Sequence, residues 1–330
     1  MRWYEYAGEE RDVFLSSRVR LARNIVDYPF GENLDKTGAA EISERVKNAL
    51  LQDCGYTFTE FSALAENERM AYVEKNLASP EMLESKAHSA IVENREKGVC
   101  VLVGEEDHIR IQAIRSGLDL KGALRAAIDA ESLIKEREKL AFSKKLGYLT
   151  HCPTNLGTGM RASVMMFLPM LTQTGRLNGL DSSLQRIGLT IRGNMGEGSR
   201  GEGCLYQISN RITLGVTEEE IIQRLTDAVT ALAAAEREAR ESASGNIALE
   251  DRIMRSYGIM KYARSVDTKE LYRLYSDVRL GICLGLIDKS LEEVDRLRME
   301  CMRGNLCLLY GNELSAEKRD EKRAEKLRGF

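Results

Sequence analysis

Hydrophobic and polar positions divide the chain into a middle part that favours strands and a long final part that favours helices. In residues 38–52 apolar side chains recur every three or four positions, which predicts an amphipathic helix, and a more polar helix is predicted over 61–76. A stretch rich in alanine, leucine, glutamate and lysine predicts a long helix over 120–140. From 217 to 328 the pattern is helical, except for small and polar residues at 242–246.

Short apolar runs and alternating patterns predict the strands. These strands cover residues 12–21, 89–92, 99–103, 108–112, 146–150, 185–191, 205–208 and 212–214. After a glycine-rich turn, a further helix is predicted to begin near Gly159 and to end or kink at Pro169. Strands grouped in the middle, with helices at both ends, favour an α+β fold in which helices flank an antiparallel sheet. We expect two domains, residues 12–240 and a helical C-terminal domain over 247–330.

The composition is that of a soluble globular protein, with 43% hydrophobic residues and a formal net charge of −3. That charge disfavours a nucleic-acid binder that relies on overall positive charge. The sequence has no apolar run of membrane-spanning length, and its first residues lack a signal-peptide pattern. Seven scattered cysteines without a Cys-x-x-Cys pair, and only three histidines, indicate reduced thiols and disfavour structural zinc. We therefore expect a cytoplasmic protein.

Arginines at strand positions are the candidate phosphate-binding groups. The P-loop pattern and the protein-kinase motifs are absent from the sequence, so a triphosphate would need other ligands. Arginine suits this purpose because its fork of donors matches phosphate oxygens and its charge is permanent. A spacing of two places Arg18 and Arg20 on one strand face, Arg110 alternates with isoleucines, and Arg192 follows the strand predicted at 185–191. Each segment alone also fits a sheet with one solvated face.

Two acidic segments and one cysteine are the candidates for chemistry. Glu105-Glu106-Asp107 precedes a predicted strand and fits a solvated turn, a divalent-metal cluster, or a carboxylate that clamps a cationic substrate. Glu197 lies in residues 192–203, where five glycines predict either a mobile loop that closes over substrate or a plain surface connector. Cys152 lies between a predicted strand and a predicted helix, where helix amides and nearby cations favour a thiolate, although inert packing is the alternative.

The segment that contains this cysteine reads Cys152-Pro153-Thr154-Asn155-Leu156-Gly157-Thr158. It resembles a signature of the phosphagen (guanidino) kinase family, which contains the arginine and creatine kinases. Four further segments are similar to family motifs in the same order. They are Ser16-Ser17-Arg18-Val19-Arg20, Glu105-Glu106-Asp107-His108-Ile109-Arg110, Arg192-Gly193-x-x-Gly196-Glu197 and Tyr206-Gln207-Ile208-Ser209-Asn210. By this resemblance, residues 12–240 are identified as a phosphagen-kinase catalytic domain.

The resemblance implies a transfer of the γ-phosphoryl group of ATP to a guanidinium, with Mg²⁺ arriving on the nucleotide and no metal held by the protein alone. Glu106 and Glu197 are implied to hold the guanidinium, and either is the candidate base. Cys152 is implied to assist electrostatically. The implied ATP-binding residues are Ser16, Ser17, Arg18, Val19, Arg20, Arg110, Arg161, Ala162, Ser163, Val164, Met165, Arg192, Gly193, Asn194, Met195, Gly196 and Glu197.

Within the family, the chain is most similar to the bacterial protein-arginine kinases. Small-molecule guanidino kinases have an additional domain of about a hundred residues before the first arginine motif, where this chain has about fifteen. The helical tail also contains a segment similar to their phosphoarginine-binding motif. Its residues are Arg319, Asp320, Glu321, Lys322, Arg323 and Ala324.

This branch implies that arginines in proteins are phosphorylated, which marks the proteins for Clp-type proteolysis. The implied partners are protein substrates with exposed arginines, a zinc-containing activator and a Clp-type unfoldase. The apolar positions of the helical tail either form a homodimer interface, which we favour, or cover the core. Neither a membrane nor a nucleic acid is an expected partner. Two alternatives remain open: a small-molecule guanidino kinase, and a non-catalytic phosphoarginine reader.

Overall fold

The computed structural model describes Tyr4 and residues 8–84, 88–193, 201–311 and 314–330. Its strands are β1 (Phe14–Arg23), β2 (Tyr56–Glu60), β3 (Ala90–Asn94), β4 (Val99–Val103), β5 (Ile109–Ser116), β6 (Phe142–Ser143), β7 (Gly147–Tyr148), β8 (Met160–Phe167), β9 (Leu189–Gly193) and β10 (Leu205–Asn210). Eight of these form one antiparallel sheet in the order β2-β3-β4-β5-β1-β8-β10-β9, while β6 and β7 form a separate pair. Strand β1 lies inside this sheet and pairs with β5 on one side and with β8 on the other.

The α-helices surround this sheet. They are α1 (Lys36–Leu50), α2 (Glu66–Glu74), α3 (Leu120–Lys135), α4 (Pro169–Gln173), α5 (Leu180–Arg186), α6 (Glu218–Ser242), α7 (Ile247–Tyr262), α8 (Thr268–Cys283), α9 (Leu291–Glu300), α10 (Arg303–Tyr310) and α11 (Ala316–Arg328). Several helices begin where a side chain accepts a hydrogen bond from a backbone N–H group. Examples are Asp119 before α3 and the Thr217–Glu220 capping box of α6. The predicted α+β architecture is confirmed, and α7–α11 are called the C-terminal helices below.

The two faces of the sheet have different surroundings. Helices α1, α3 and α6 pack on one face. Along β1, Val19 and Leu21 are buried towards these helices, whereas Ser16, Arg18 and Arg20 line a cleft on the opposite face. The alternation that the sequence shows in this strand therefore separates the core from the candidate site.

The prediction of a helix that begins near Gly159 is wrong, because residues Met160–Phe167 form β8 in the middle of the sheet. One face of this strand packs in the core and the other lines the cleft, where Met165 adds an apolar residue that obscures the alternation. Gly159 has a φ of +59°, and a Cβ there would lie 2.6 Å from the Arg23 guanidinium and 2.8 Å from the Ala22 carbonyl oxygen. The glycine therefore permits a tight entry into a strand, where the sequence analysis placed a helix start.

Other boundaries also differ from the prediction. Residues 180–186 are helical, so the strand predicted at 185–191 begins only at Leu189. No strand forms at 212–214, and the strand predicted at 146–150 is limited to Gly147–Tyr148. The helix predicted from residue 61 begins at Glu66, after a short 3₁₀ segment.

The C-terminal helices are fixed to the segment before β1 by a buried ionic group, the Asp295 cluster (Arg11, Tyr275, Arg279 and Asp295). The Asp295 carboxylate accepts hydrogen bonds from Arg11 Nη2 at 3.0 Å, Arg279 Nε at 3.0 Å and the Tyr275 hydroxyl at 2.6 Å. Burial alone raises the pKa of Asp295, but Arg279 and Arg11 outweigh it and hold the pKa below its usual value. Arg279 also donates to the Arg11 carbonyl at 2.7 Å.

A second junction joins α2 to α10. The Glu74 carboxylate accepts the backbone N–H groups of Gly304 at 2.7 Å and Asn305 at 3.0 Å, which start α10. A Cβ at Gly304 would lie 2.7 Å from the Ala71 nitrogen, so the two helices are in close backbone contact. Together the two junctions place α8, α9 and α10 beside the cleft.

Candidate active site

The cleft on the open face of the sheet has a volume of about 900 Å³. Its floor follows from the strand register. Arg20 on β1 lies opposite Gln112 on β5 and Arg161 on β8, and Ser16 lies opposite Met165. Because directly opposed residues share a face, the three strands present one continuous floor.

Five arginines line this cleft, and we call them the arginine cluster: Arg18, Arg20, Arg110, Arg161 and Arg192. Burial, with the charges of Arg110 and Arg161, lowers the pKa of Arg18 to about 10. Burial and the neighbouring arginines also lower the pKa of Arg20 well below its usual value. The Arg20 Nε atom is buried with no hydrogen-bond acceptor among the described residues. The cluster therefore concentrates positive charge, which a bound polyanion would stabilise.

The other predicted nucleotide-binding residues divide by strand face. Ser163 and Met165 line the cleft with Ser16 and Gly193. Val19, Ala162 and Val164 are fully buried on the core side. Ser17 is also buried, and its hydroxyl donates to the Gly117 carbonyl at 2.8 Å and accepts from the Asp119 N–H at 3.0 Å. Their assignment as ATP-binding residues stays a prediction. The predicted Asn194, Met195, Gly196 and Glu197 lie outside the described residues.

The acidic segment does not act as one group. Glu105 forms an ion pair with Arg110 and is thereby held at the edge of the arginine cluster. Glu106 lines the cleft. A carboxylate beside a phosphate-binding cluster is placed to contact a cation that lies next to the phosphate. That Glu106 holds the acceptor guanidinium stays a prediction.

Asp107, the third acid, organises the neighbouring backbone. It is buried, and its Oδ1 atom accepts hydrogen bonds from Asn24 Nδ2 and from the His151 N–H, each at 2.7 Å. Next to it, His108 Nδ1 accepts the Ile25 N–H at 3.1 Å, and its Nε2 lies 2.9 Å from the Pro29 carbonyl oxygen. Burial lowers the pKa of His108, so a neutral ring that donates to Pro29 fits both contacts.

Cys152 follows His151, whose backbone N–H donates to Asp107. Its Sγ lies 3.0 Å from Thr154 Oγ1, and its side chain is half-buried at the start of a 3₁₀ segment, Pro153–Asn155. The α-helix predicted to follow this cysteine is therefore wrong. His151 lines the cleft, and a Cβ at Gly31 would lie 2.4 Å from its ring. Whether Cys152 takes part in catalysis stays a prediction.

Part of the cleft wall was missed by the sequence analysis. Leu205 and Gln207 come from β10, and the latter lies within the motif recognised at 206–210. Tyr272, Arg298 and Met302 come from the C-terminal helices. The β10 motif was a usable signal for Gln207. No local pattern distinguishes the three C-terminal residues from ordinary helix positions, because only tertiary packing brings them to the cleft.

In the tail segment, the six predicted residues lie within α11, which has one exposed and one buried side. Arg323 is 1% exposed and donates to the Cys301 carbonyl at 3.0 Å and the Val266 carbonyl at 2.6 Å. Arg319 donates to the Leu314 carbonyl at 2.7 Å and is half-buried. Arg323 thus fixes α11 to its neighbours. Phosphoarginine binding by this segment stays a prediction.

In the part of the chain that the structure describes, no helix is long and apolar enough to cross a membrane.

Two family models match the chain. The model described as ATP:guanido phosphotransferase, C-terminal catalytic domain, matches residues 39–239, and the model described as protein-arginine kinase McsB C-terminal domain matches residues 246–329. Among solved structures, lombricine kinase superposes with a TM-score of 0.61 at 25% identity over 69% of this chain and 67% of that chain. The duplicated taurocyamine kinase from Schistosoma mansoni gives a TM-score of 0.64 at 25% identity, over 81% of this chain and 40% of that chain.

Curated relatives extend the match over nearly the full length. A protein-arginine kinase from Caldanaerobacter subterraneus subsp. tengcongensis is 41% identical over 324 residues, which are 96% of each chain. A protein-arginine kinase from Geobacillus sp. strain WCH70 is 41% identical over 334 residues, which are 99% of this chain and 92% of the relative. The chain therefore belongs to the ATP:guanido phosphotransferase family and, within it, to the protein-arginine kinases.

Proposed function

We propose that this protein transfers the γ-phosphoryl group of ATP to arginine side chains of other proteins. The observation that carries the proposal is the arginine cluster on one sheet face with Glu106 beside it. Arginines match the triphosphate, and a carboxylate matches the acceptor guanidinium. The relatives named protein-arginine kinases support a protein acceptor.

In this mechanism the arginine cluster positions the triphosphate and neutralises its charge. Phosphoryl transfer depends chiefly on such positioning and electrostatic stabilisation. Burial and the neighbouring arginines disfavour the charged forms of Arg18 and Arg20. Negatively charged phosphate oxygens would offset this repulsion. Mg²⁺ bound to ATP adds positive charge at the phosphate oxygens.

The acceptor arginine must lose a proton, because a guanidinium has a pKa of about 12 or higher. Glu106 orients this group in the cleft and is one of the two candidate bases. Glu197, the other candidate, follows Arg192 by five positions in the sequence and lies outside the described residues. Asp107 contributes indirectly, since it holds the backbone that leads to Cys152.

A paired assay tests this function. The protein is incubated with ATP, Mg²⁺ and either an unfolded basic protein or free arginine. We expect acid-labile phosphate on the protein substrate, and no labelling of a matched substrate whose arginines are replaced by lysine. Phosphorylation of free arginine alone would instead identify a small-molecule guanidino kinase.

We further propose that the phosphorylated proteins are substrates of a Clp-type unfoldase in the cytoplasm, with an activator protein and a homodimer as further partners. The tail segment from Arg319 to Ala324 is proposed to bind phosphoarginine. Arg319 is the group that a phosphate can reach, because it is half-buried whereas Arg323 is 1% exposed. This support comes from the C-terminal family match and the placement of the two arginines.

A further inference from the structure

A second cavity, with a volume of about 570 Å³, borders the cleft. Arg161 and Arg192 line both spaces, so the two meet at the arginine cluster. From there the second cavity extends past β10 to the edge strand β9, where Thr190 lines it. Neighbouring strands are about 4.8 Å apart, so the span from β8 to β9 is about 10 Å. We call this space the edge pocket.

Another wall of the edge pocket belongs to the Cys152 segment (residues 152–158). Thr154 and Asn155 follow the cysteine by two and three positions, and both line the pocket. Thr213, which also lines it, holds this wall in place. Its hydroxyl lies 2.9 Å from the Thr154 carbonyl oxygen and 2.8 Å from that of Leu156, within reach to donate to either. The edge pocket is therefore a preformed space between the candidate cysteine and the arginine cluster.

The charges around the edge pocket are unequal. Asp181 is the one acid among the described residues of its lining, and its Oδ1 accepts hydrogen bonds from the Thr190 hydroxyl at 3.1 Å and the Ile191 N–H at 3.3 Å. Arg211 also lines the pocket, and its backbone N–H donates to the Gly188 carbonyl at 2.8 Å. Its side chain is exposed and has no hydrogen bond or ion pair with any residue that the structure describes. Arg211 thus adds a positive charge that is open to a partner.

Exposed apolar side chains adjoin the edge pocket along the chain. Ile212 and Leu214 stand on either side of Thr213, and Ile187 directly follows α5. These three are 45–49% exposed. Ile212 also covers Gly188, since a Cβ there would lie 2.8 Å from the Ile212 Cδ1 atom. An unfolded polypeptide, which presents apolar and charged side chains together, matches such a surface.

We propose that the edge pocket binds the polypeptide segment next to the acceptor arginine, and that Arg211 pairs with a carboxylate side chain of this segment. The inference rests on the proposed function. Because the pocket borders both the Cys152 segment and the arginine cluster, a segment that lies in it continues directly into the cleft. An extended chain advances about 3.3 Å per residue, so a span of about 10 Å holds roughly three residues.

The carboxylate follows from charge complementarity. A guanidinium pairs with a carboxylate through two parallel hydrogen bonds, whereas a lysine of the substrate would meet a like charge at Arg211. The carboxylate therefore belongs about two or three residues from the acceptor arginine. Arginines with acidic neighbours should be phosphorylated before arginines with basic neighbours in the same unfolded protein.

A charge exchange tests the assignment. Three peptides contain one arginine, flanked at the second and third positions on both sides by glutamate, by glutamine or by lysine. At saturating ATP, we expect kcat/KM of the unmodified protein to be about fivefold higher for the glutamate peptide than for the lysine peptide. Arg211→Glu should reverse this preference and change kcat/KM for the glutamine peptide least. The ratio for the two charged peptides is the readout, because a general loss of activity does not alter it.

Arg224→Glu is the matched control, since it makes the same change of charge at an exposed position of α6, on the opposite face of the sheet. It should keep the preference of the unmodified protein. Equal rates for the three peptides with the unmodified protein, or an unchanged preference in Arg211→Glu, would overturn the inference and leave the proposed function standing.

Amide hydrogen exchange on the unmodified protein decides the matter if Arg211→Glu does not fold. A glutamate peptide whose arginine is replaced by lysine should slow exchange at residues 189–192 and 210–213, and the corresponding lysine-flanked peptide should not. Slowing by both peptides alike, or by neither, contradicts the inference. Phosphorylation of free arginine with no peptide phosphorylated would instead refute the proposed function itself.

Discussion

Glu105, Glu106 and Asp107 are consecutive in the chain, yet their carboxylates have three different surroundings. Glu105 pairs with Arg110, Glu106 faces the cleft, and Asp107 accepts the backbone N–H of His151. The sequence predicted that this acidic segment holds a carboxylate that clamps the substrate. It did not predict that each of the three carboxylates has a different contact. It depends on segments more than forty positions away, such as the one that contains His151, and local pattern carries no information about them.

The concentrated charge of the arginine cluster should lower the stability of the unliganded protein and raise its affinity for ATP. Replacing Arg20 by Met removes one buried cation from among like charges, so the free energy of unfolding without ligand should rise by about 1 kcal/mol. The affinity for ATP should fall at least tenfold, because a phosphate contact is lost. Urea unfolding and nucleotide titration measure the two effects.

Arg186→Met is the matched control for Arg20→Met, since Arg186 is exposed on α5. It should leave both quantities within about 0.5 kcal/mol of the unmodified protein. An Arg20→Met protein that is less stable and still binds ATP normally would exclude Arg20 from the phosphate site.

At the scale of elements, strand β1 and helices α1 and α3 were predictable because each has one buried and one solvated or site-facing side. Strand β8 was not, because Ala162, Val164 and Met166 fill the core while Met165 adds an apolar residue on the cleft side. A short run that is apolar on both faces fits a buried helix as well as a central strand. The wall formed by α8 and α9 was unpredictable for another reason: it depends on packing between distant segments.

Helix α11 separates a structural arginine from a candidate binding arginine. Arg323→Ala leaves the carbonyls of Val266 and Cys301 without their buried donor, so we expect a loss of about 3 kcal/mol in unfolding free energy. Arg319→Ala should leave stability within about 1 kcal/mol but weaken phosphoarginine binding at least tenfold. Thermal unfolding and titration with phosphoarginine distinguish the two.

Lys318→Ala provides the control on the same helix, because Lys318 is exposed and forms a surface ion pair with Glu321. It should affect neither stability nor phosphoarginine binding appreciably. Unchanged phosphoarginine binding in Arg319→Ala would show that this arginine does not contact the ligand.

At the scale of the whole molecule, the Asp295 cluster joins the C-terminal helices to the segment before strand β1. Its stabilising contribution depends on pH with a definite sign. The folded-state pKa of Asp295 is lowered, so the contribution is complete above the unfolded pKa of about 3.8 and is lost as pH falls through the folded value. The cluster is thus intact at neutral pH and fails in acid.

Asp295→Asn tests this dependence. At pH 7 it removes the carboxylate that Arg11 and Arg279 share in the interior, so the free energy of unfolding should fall by about 3–5 kcal/mol. The difference from the unmodified protein should shrink in urea unfolding below about pH 3.8. Asp251→Asn, in an exposed pair with Arg255 on α7, should change stability by less than about 1 kcal/mol. A difference that does not depend on pH would contradict the assignment.

The separation of Arg11 and Asp295 along the chain also affects how the protein is made. The two residues are 284 positions apart, and a ribosome that adds about 5–20 residues per second needs roughly 15–60 seconds to cover that distance. During this time the first strand has emerged, but its Arg11 lacks the carboxylate that it meets in the finished fold. Until α9 has been synthesised, Arg11 stays hydrated and cannot form this buried ion pair. The junction between the segment before β1 and the C-terminal helices can therefore form only near the end of synthesis.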